Sequence, residues 1–258
     1  MKPLALSFQK NSSNKQTGLV YAFSPRNHER EDGTTGELNF ASGSRSMRSN
    51  VQWFLRSIGM NKEEVFLVRQ VHGDVVYDFK DASVSFTQVA DVPADAIITR
   101  LVGQPIGVLT ADCIPIVVYD SRLHVTGVIH AGRKGTALGI VSKTIKAMQK
   151  IYGSNPHDIL AEMGPGIGGC CYEVDKACIE PFKKFYPDWS KLALASSSGK
   201  FMLDLFSANA ENAKLAGIEP KNISHTGFCT SCQVKRFFSY RREGTTGRML
   251  TVAMLNPE

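Results

Sequence analysis

The sequence predicts an α+β fold, in which mixed β-sheets are flanked by helices and residues 1–258 form one domain. Segments of strand length and segments with helical periodicity are interspersed, without the strict alternation of a doubly wound parallel sheet. Several neighbouring strand segments are joined by turns too short to contain a crossover helix. No internal repeat or low-complexity linker divides the chain. These three observations favour a mixed sheet with flanking helices in a single domain.

The N-terminal part is expected to contain a hairpin, a loop and a helix. Residues 4–8 and 18–23 are apolar runs bounded by polar turns, which is typical of a β-hairpin. Residues 27–36 are polar and contain glycine, and should form an exposed loop. A helix ending at Gly59 is predicted next, because apolar residues recur at helical spacing. This apolar stripe consists of Met47, Val51, Phe54, Leu55 and Ile58.

Two strands and a loop should follow before the central segment. Residues 65–71 predict a strand, and residues 75–79 are expected to be its hairpin partner. Residues 81–92 should cross the surface as a loop. Residues 94–99 predict a short strand that the chain enters through Pro93.

The central segment, residues 107–136, organises the rest of the chain, because potential metal ligands interrupt its apolar runs. It is expected to form three strands, a glycine turn and the start of a helix. Cys113 follows Asp112 at the end of one strand, and His130 lies where a later strand reaches Gly132.

The C-terminal half should add helices and strands around a glycine-rich turn at residues 164–169. Helices are predicted over residues 136–152, 175–186 and 204–215. Strands are predicted over residues 159–163, 223–228, 237–240 and 249–254.

Composition and charge indicate which classes of binding partner are expected. The net charge of +6 favours an anionic partner. Basic residues cluster near the C-terminus, at residues 235–236 and 241–242, but no nucleic-acid-binding motif accompanies them. A small phosphorylated or carboxylated substrate is therefore favoured over DNA or RNA. No apolar run approaches the ~20 residues of a membrane span, and residues 1–8 make a poor signal peptide, so a cytoplasmic location is expected.

The six cysteines do not suggest a disulfide framework in a chain of 258 residues. Cys170 and Cys171 are adjacent, and Cys229 and Cys232 form a single CxxC motif. On its own that motif is half of a structural zinc site, or a redox pair.

His72, Cys113 and His130 form the main candidate site, because each lies at a predicted strand end beside small residues. Three nitrogen or sulfur ligands with one open position are typical of catalytic zinc, which activates a bound water. Cys113 could instead be a thiolate nucleophile with a histidine base. Spacing alone also permits three unrelated residues, with Cys113 packed in the core.

Other side chains near the site have weaker signals. Asp95 and Asp112 could orient a ligand histidine or accept a proton, although a capping or turn aspartate is the favoured interpretation of each taken singly. Arg241 could bind phosphate or carboxylate through two hydrogen bonds, or belong to a solvated edge strand. The turn at residues 164–169 matches neither a Walker loop nor a dinucleotide fingerprint.

Six segments resemble the YfiH-type family, also called the laccase-domain or multicopper polyphenol oxidase-like family, whose bacterial branch includes the peptidoglycan editing factor. The matches extend from about residue 19 to the C-terminus. They are QVHGDVV (70–76), ADAIIT (94–99), TADCIPI (110–116), HAGRKGT (130–136), GPGIGGCCYEV (164–174) and FFSYRREGTTGRM (237–249).

The resemblance implies an α/β/β/α layered fold and a zinc ion bound by His72, Cys113 and His130. It implies phosphorolysis of adenosine, inosine, guanosine and methylthioadenosine, together with deamination of adenosine. Cys113, with Asp112 and Asp95, is then the candidate catalytic group. The candidate substrate-binding residues are Asn39, Gln70, Arg241 and Arg248.

Three alternatives remain. One is peptidoglycan editing, in which misincorporated serine is removed from a UDP-MurNAc-peptide precursor by zinc-bound water or by the Cys113 thiolate. Another is oxidation of phenols by copper, which two histidines and a cysteine could bind. A coupled multicopper cluster would need more ligands than the remaining histidines, His28, His124, His157 and His225. The third is a non-enzymatic, zinc-stabilised binding protein, which an open metal position disfavours.

The chain departs from the family at the expected substrate rim. Arg133 stands where the family usually has tryptophan, and Val51 stands where arginine usually follows the asparagine of the first helix. The common Gly-Gly-Val-Ser sequence of the N-terminal loop is missing.

Overall fold

Two β-sheets lie at the centre of the computed structural model, which describes residues 4–8, 18–29, 33–44, 46–196 and 199–257. The strands in these ranges are β1 (Leu4–Phe8), β2 (Leu19–Phe23), β3 (Asn27–Glu29), β4 (Thr35–Glu37), β5 (Phe66–Leu67), β6 (Val76–Asp78), β7 (Ala96–Thr99), β8 (Ile106–Thr110), β9 (Ile114–Asp120), β10 (Val125–Ala131), β11 (Ile159–Met163), β12 (Glu173–Val174), β13 (Ala193–Ala195), β14 (Phe201–Leu203), β15 (Ile223–His225) and β16 (Met249–Leu255). The helices are α1 (Met47–Ser57), α2 (Phe86–Ala90), α3 (Arg133–Ala137), α4 (Ile140–Tyr152), α5 (Lys176–Phe185), α6 (Trp189–Leu192), α7 (Leu205–Leu215) and α8 (Tyr240–Glu243). None of the helices in these ranges combines the length and apolar content needed to cross a membrane.

Both central sheets mix parallel and antiparallel strands, as predicted. The first sheet has the strand order β1-β2-β16-β8-β5, and the second has the order β15-β11-β9-β10-β7-β6. In the first sheet β5 runs parallel to β8, and in the second β6 runs parallel to β7. The strands β8, β9 and β10 follow one another along the chain, but β8 belongs to the first sheet and the other two to the second. The short connection between β8 and β9, residues 111–113, therefore carries Cys113 from one sheet to the other.

Apolar packing arranges the sheets and helices as α/β/β/α layers, the order that the family resemblance implied. Val108 of the first sheet and Val117 of the second belong to one buried cluster between the sheets. On the outer face of the first sheet, Leu55 of α1 packs with residues of β2 and β16. On the outer face of the second, Ile145 of α4 packs with residues of β9, β10 and α7. All seven residues of β9 are buried because this strand is covered on both faces, which explains its continuous apolar sequence.

Several local predictions are confirmed. The strands β1 and β2 pair in antiparallel fashion, while the connecting residues 9–17 lie outside the described ranges. The helix α1 buries Val51, Phe54 and Leu55. The helix α4 ends at Gly153, whose φ of 79° is readily adopted only by glycine.

The expected loop over residues 27–36 was wrong. Its two ends pair as β3 and β4, and its tip, residues 30–32, lies outside the described ranges. His28 is buried against Trp53, with 4.1 Å between the ring centroids. This contact explains how a polar segment forms a hairpin, because the helix α1 covers one of its side chains.

The predicted hairpin of residues 65–71 with 75–79 was also wrong. The strand β5 pairs with β8, whereas β6 pairs with β7 in the other sheet. The loop expected over residues 81–92 contains α2, which begins with a capping box formed by Ser85 and Gln88.

The predicted C-terminal strands and the helix over residues 136–152 need further corrections. Residues 237–240 form no strand; Ser239 instead caps α8 by accepting a hydrogen bond from the Arg242 amide. The strand expected over residues 223–228 is limited to β15. The helix expected over residues 136–152 is divided into α3 and α4 by Gly139, which has a φ of 76°. The sheet β12-β14-β13 was missed, since its strands are only two or three residues long.

Candidate metal centre and substrate cavity

Three strand connections bring His72, Cys113 and His130 together. His72 lies in the turn after β5, Cys113 immediately precedes β9, and His130 is in β10. Their potential ligand atoms all lie within 4.8 Å of one another. The two imidazole rings are nearly perpendicular, at 86°, with 4.7 Å between their centroids. The structure thus assembles the three side chains as the sequence predicted, and their role as metal ligands remains a prediction.

Asp95 connects two of these three residues. Its Oδ1 accepts a hydrogen bond from His130 Nδ1 at 2.7 Å and from the His72 amide at 2.9 Å, while its Oδ2 accepts from the Gly73 amide at 2.6 Å. The carboxylate has no exposed surface. Because the hydrogen bond to Asp95 holds the proton of His130 on Nδ1, the other ring nitrogen, Nε2, can bind a metal ion. This arrangement is common in carboxylate–histidine–metal sites. These contacts favour the orienting role for Asp95 over proton transfer.

Burial and hydrogen bonding act in opposite directions on Asp95. Burial raises the pKa of this carboxyl group, but the hydrogen bonds from His130 and the 71–73 turn outweigh it and leave the pKa below its usual value. Asp95 is therefore ionised at neutral pH and able to orient His130.

Cys113 and His130 form an ion pair in the metal-free protein. Burial raises the pKa of the Cys113 thiol, but the positive charge and hydrogen bonds of His130 and His72 lower it to about 6. Burial lowers the pKa of His130, but the Cys113 thiolate and Asp95 raise it to about 9. Cys113 is consequently a thiolate at neutral pH, which is the form that binds metal ions.

Two residues at the site have left-handed backbone conformations. His72 has a φ of 57° and Asp112 a φ of 91°, values that cost about 1–3 kcal/mol for residues with a side chain. The 71–73 turn is held by its amides donating to Asp95. Asp112 is held by its own carboxylate, which accepts from Thr230 Oγ1 and from the Arg241 amide, each at 2.6 Å.

Both carboxylate oxygens of Asp112 are thus already hydrogen-bonded within the protein. This arrangement favours a positioning role for Asp112, beside Cys113, over the catalytic role suggested by the sequence. Thr230 was missed by sequence reasoning, because a threonine inside a CxxC motif carries no signal for a partner so far away in the chain.

Gly132 leaves space beside the three potential ligands. A Cβ atom at this position would lie 3.0 Å from Cys113 Sγ and 3.1 Å from His72 Cδ2. Such distances are shorter than most Cβ contacts in proteins, so Cys113 or His72 would have to shift by a few tenths of an ångström. The absence of a side chain therefore keeps this side of the centre clear.

The three residues open into a cavity of about 1220 Å³. Its cationic lining residues are Arg69, Arg133, Lys134, Arg241 and Arg248. Within the described ranges, none of these five makes an ion pair with an acidic side chain. The acidic lining residue Asp112 has its oxygens directed to other groups. The cavity therefore has a positive potential that favours an anionic ligand.

Backbone carbonyl groups restrain two of these cations without neutralising them. Arg241 donates from Nη1 to the Glu173 carbonyl at 2.7 Å, and its guanidinium lies 5.0 Å from the centroid of the Tyr172 ring. Arg248 donates from Nη1 to the carbonyls of Thr246 and Gly247, each at 3.0 Å. Both charges remain available to a ligand in the cavity. Arg69, Lys134 and Tyr172 were not singled out by sequence reasoning, because a residue's place in a cavity wall follows from tertiary packing.

The other two predicted substrate-binding residues support the cavity wall. Gln70 lines the cavity, but its amide group both donates to and accepts from the backbone of Leu109, at 2.8 Å in each case. Asn39 Oδ1 accepts from the amides of Ala41 and Arg248. These contacts favour a bracing role for both side chains over the substrate contact suggested by the sequence.

The remaining histidines are dispersed. His28 packs on Trp53, and His124 Nε2 lies 3.0 Å from the Asn256 carbonyl oxygen. His157 pairs with Glu219, and His225 packs on Phe206. Two groups of side chains in the described ranges have the proximity needed for a metal ion, and neither contains any of these four histidines. This distribution offers no support for a coupled multicopper cluster.

Comparison with known proteins gives consistent matches. A family model described as multi-copper polyphenol oxidoreductase laccase matches residues 20–256. Adenosine deaminase RL5, from an unknown prokaryotic organism, is 34% identical over 200 residues, which are 75% of this chain and 76% of that protein. A purine nucleoside phosphorylase of Clostridium acetobutylicum is 31% identical over 224 residues, covering 86% of this chain and 87% of that protein. The crystal structure of Bacillus licheniformis hypothetical protein YfiH superposes with a TM-score of 0.84 at 30% identity, covering 92% of this chain and 93% of the other. Since the family model covers nearly all of the sequence, the chain belongs to this laccase-like, YfiH-type family.

Proposed function

We propose that this protein is a zinc-dependent enzyme that acts on purine nucleosides in the cytoplasm. Its main reaction would be phosphorolysis of adenosine, inosine, guanosine and methylthioadenosine, with deamination of adenosine as a second reaction. The observation that carries the proposal is the group of His72, Cys113 and His130 at the wall of a cavity lined by cations. Relatives named purine nucleoside phosphorylase and adenosine deaminase support it.

The donor set suits zinc. Two imidazole nitrogens and one thiolate match the ligands of catalytic zinc sites, although copper accepts the same atoms. Asp95 fixes the orientation of His130, and Gly132 leaves room for a reactant beside the three donors. Bound there, zinc would supply Lewis-acid polarisation or acidify a water molecule.

The chain's own residues would bind and orient phosphate. Phosphate is an anion near neutral pH, so the cationic cavity would concentrate it beside the metal centre. Arg241 is the best placed of the cations to orient it, because its contacts with Glu173 and Tyr172 fix the guanidinium before the ligand arrives. The Tyr172 ring and the apolar lining side chains offer a surface for the purine base.

Replacing Cys113 by alanine tests the proposal. The purified variant should lose the zinc bound at this centre and should lose both reactions. Chromatography distinguishes adenine and ribose 1-phosphate from inosine, the product of deamination. Cys178→Ala is a matched control, because Cys178 belongs to neither candidate metal group. Full activity in the Cys113→Ala protein would contradict the proposal.

Peptidoglycan editing is a second candidate that the cavity favours. Its volume of about 1220 Å³ exceeds the 300–1000 Å³ typical of small-molecule sites, so a larger anionic substrate such as a nucleotide-linked muropeptide would fit. Removal of a misincorporated serine could use the same metal centre. Cell-wall precursors from a strain lacking the gene should then contain excess serine, and a normal serine content would exclude this function.

A further inference from the structure

Four cysteine side chains meet at a second place in the molecule. Cys170 and Cys171 end the glycine-rich turn that follows β11, and Cys229 and Cys232 lie in the turn after β15. Their sulfur atoms all lie within 4.8 Å of one another. The Cys170–Cys171, Cys170–Cys232 and Cys171–Cys232 sulfur pairs are separated by 3.8, 3.6 and 3.3 Å. The CxxC motif, which looked like half of a site in the sequence, thus has a second pair of cysteines opposite it.

These three separations are close to the spacing of sulfur atoms around a single tetrahedral metal ion. Zinc–sulfur bonds of about 2.3 Å at tetrahedral angles place neighbouring sulfur atoms about 3.8 Å apart. A two-iron cluster would spread its four thiolates over two metal ions, so that some pairs would be farther apart. All four cysteines carry free thiols in the structure, so the proximity does not arise from disulfide bonds.

The backbone fixes the two turns against each other. The Thr230 amide donates to the Gly166 carbonyl at 2.9 Å, and the Gly166 amide donates to the Phe228 carbonyl at 3.3 Å. The Gly168 amide donates to Cys229 Sγ at 3.2 Å, as amides do to thiolates in metal sites. A Cβ at Gly168 would lie only 3.2 Å from Cys170 Sγ, so this position favours glycine for close approach. The sulfur atoms are therefore brought together by a rigid frame.

A divalent cation would hold the four sulfur atoms in their thiolate form, which is the form that binds zinc.

We propose that Cys170, Cys171, Cys229 and Cys232 bind one structural zinc ion as a tetrathiolate site. Four protein ligands leave no open position, so the site is structural rather than catalytic. It is separate from the His72 group and does not depend on the enzymatic function proposed above.

The zinc ion would also brace the candidate metal centre. Thr230 lies between two of its ligands, and its hydroxyl donates to Asp112, the residue before Cys113. The Arg242 guanidinium donates to the carbonyls of Thr230 and Ser231, at 2.6 and 2.9 Å. A zinc ion that cross-links the turn ending at Cys171 to the 229–232 turn would thereby limit movement of Asp112 and of the segment 241–242, which contacts Asp112.

Zinc content per chain, measured by mass spectrometry on the full-length protein, tests the site. The starting variant is His72→Ala/Cys113→Ala, in which two potential ligands of the other centre are removed. It should retain one zinc per chain after desalting. Adding Cys170→Ser and Cys232→Ser, both exposed, should remove that zinc, whereas adding Cys178→Ser as the control should not. Zinc that is missing from the starting variant, or that survives loss of both cysteines, would overturn the proposal.

X-ray absorption spectroscopy of the starting variant provides a test in which the four cysteines remain intact. Four sulfur atoms at about 2.3 Å from zinc are expected. Iron in place of zinc, nitrogen or oxygen ligands, or a disulfide between two of the cysteines would contradict the assignment. Neither measurement uses enzymatic activity, so a failure of the nucleoside proposal would leave the outcome unchanged.

Discussion

Replacing Asp95 by asparagine should weaken both metal binding and the fold. Oδ1 of Asp95 accepts from His130 and the His72 amide, and Oδ2 accepts from the amides of Gly73 and Val71. An asparagine amide has one oxygen, so either orientation leaves two of these four donors facing an NH₂ group. Each buried donor without an acceptor costs about 1–3 kcal/mol, which gives a loss of about 2–6 kcal/mol in the free energy of unfolding.

Metal affinity should fall with stability in the Asp95→Asn protein. Loss of the group that orients a ligand histidine typically lowers metal affinity 10- to 100-fold. Urea denaturation measures the first effect, and competition with a chromophoric chelator measures the second. Asp204→Asn is the matched control, because Asp204 caps α7 and asparagine is equally suitable as an N-cap. Wild-type zinc affinity in a folded Asp95→Asn protein would refute the orienting role.

Three further predictions concern the same centre. Gly132→Ala should lower zinc affinity at least 10-fold, since its Cβ would lie 3.0 Å from Cys113 Sγ; calorimetric titration would show this, and unchanged affinity would mean that the ligands can move apart. In zinc-free protein, the ion pair should stabilise the fold only between about pH 6, below which the Cys113 thiolate is protonated, and about pH 9, above which His130 loses its proton. The difference in melting temperature between wild type and Cys113→Ser should therefore be largest between about pH 6 and about pH 9 and decrease towards about pH 5 and about pH 10, and a difference that does not vary with pH would exclude the pair. Arg241→Gln should lower kcat/KM for phosphate about 10- to 100-fold and leave deamination nearly unchanged, whereas Arg122→Gln, at an exposed ion pair, should alter neither. Equal losses in both reactions would show that Arg241 does not act on phosphate.

Elements with long, regular patterns could be predicted from the sequence. The strand β9 is a continuous apolar run of strand length, and the helix α4 has apolar residues at helical spacing, so each could be identified without knowledge of its neighbours. Short elements could not be assigned in this way. The strands β5 and β6 contain two and three residues, and their partners depend on how Asp95 holds the turn between them. The sequence around that turn looks like a hairpin, although the structure divides it between two sheets.

The potential metal ligands of the candidate site could be predicted from the sequence, because each is recognisable from its own residue type and position. His72, Cys113 and His130 stand out because each is a potential metal ligand at a predicted strand end beside small residues. The supporting contacts depend on partners far away in the chain, such as Thr230 with Asp112. No local pattern indicates such a pair, which is why the sequence left open that Asp112 accepts a proton in catalysis.

Two strained turns next to the potential ligands have the same construction. In each, a residue with positive φ, His72 or Asp112, is held by a carboxylate that accepts hydrogen bonds from other parts of the chain. The Asp95 carboxylate joins the His72 turn to β10. The Asp112 carboxylate joins its own turn to the 229–232 turn and α8. The strain of about 1–3 kcal/mol per turn persists only because these contacts offset it. Their common effect is to hold the potential ligands from separate strands at fixed positions, which would reduce the entropy lost if a metal ion binds there.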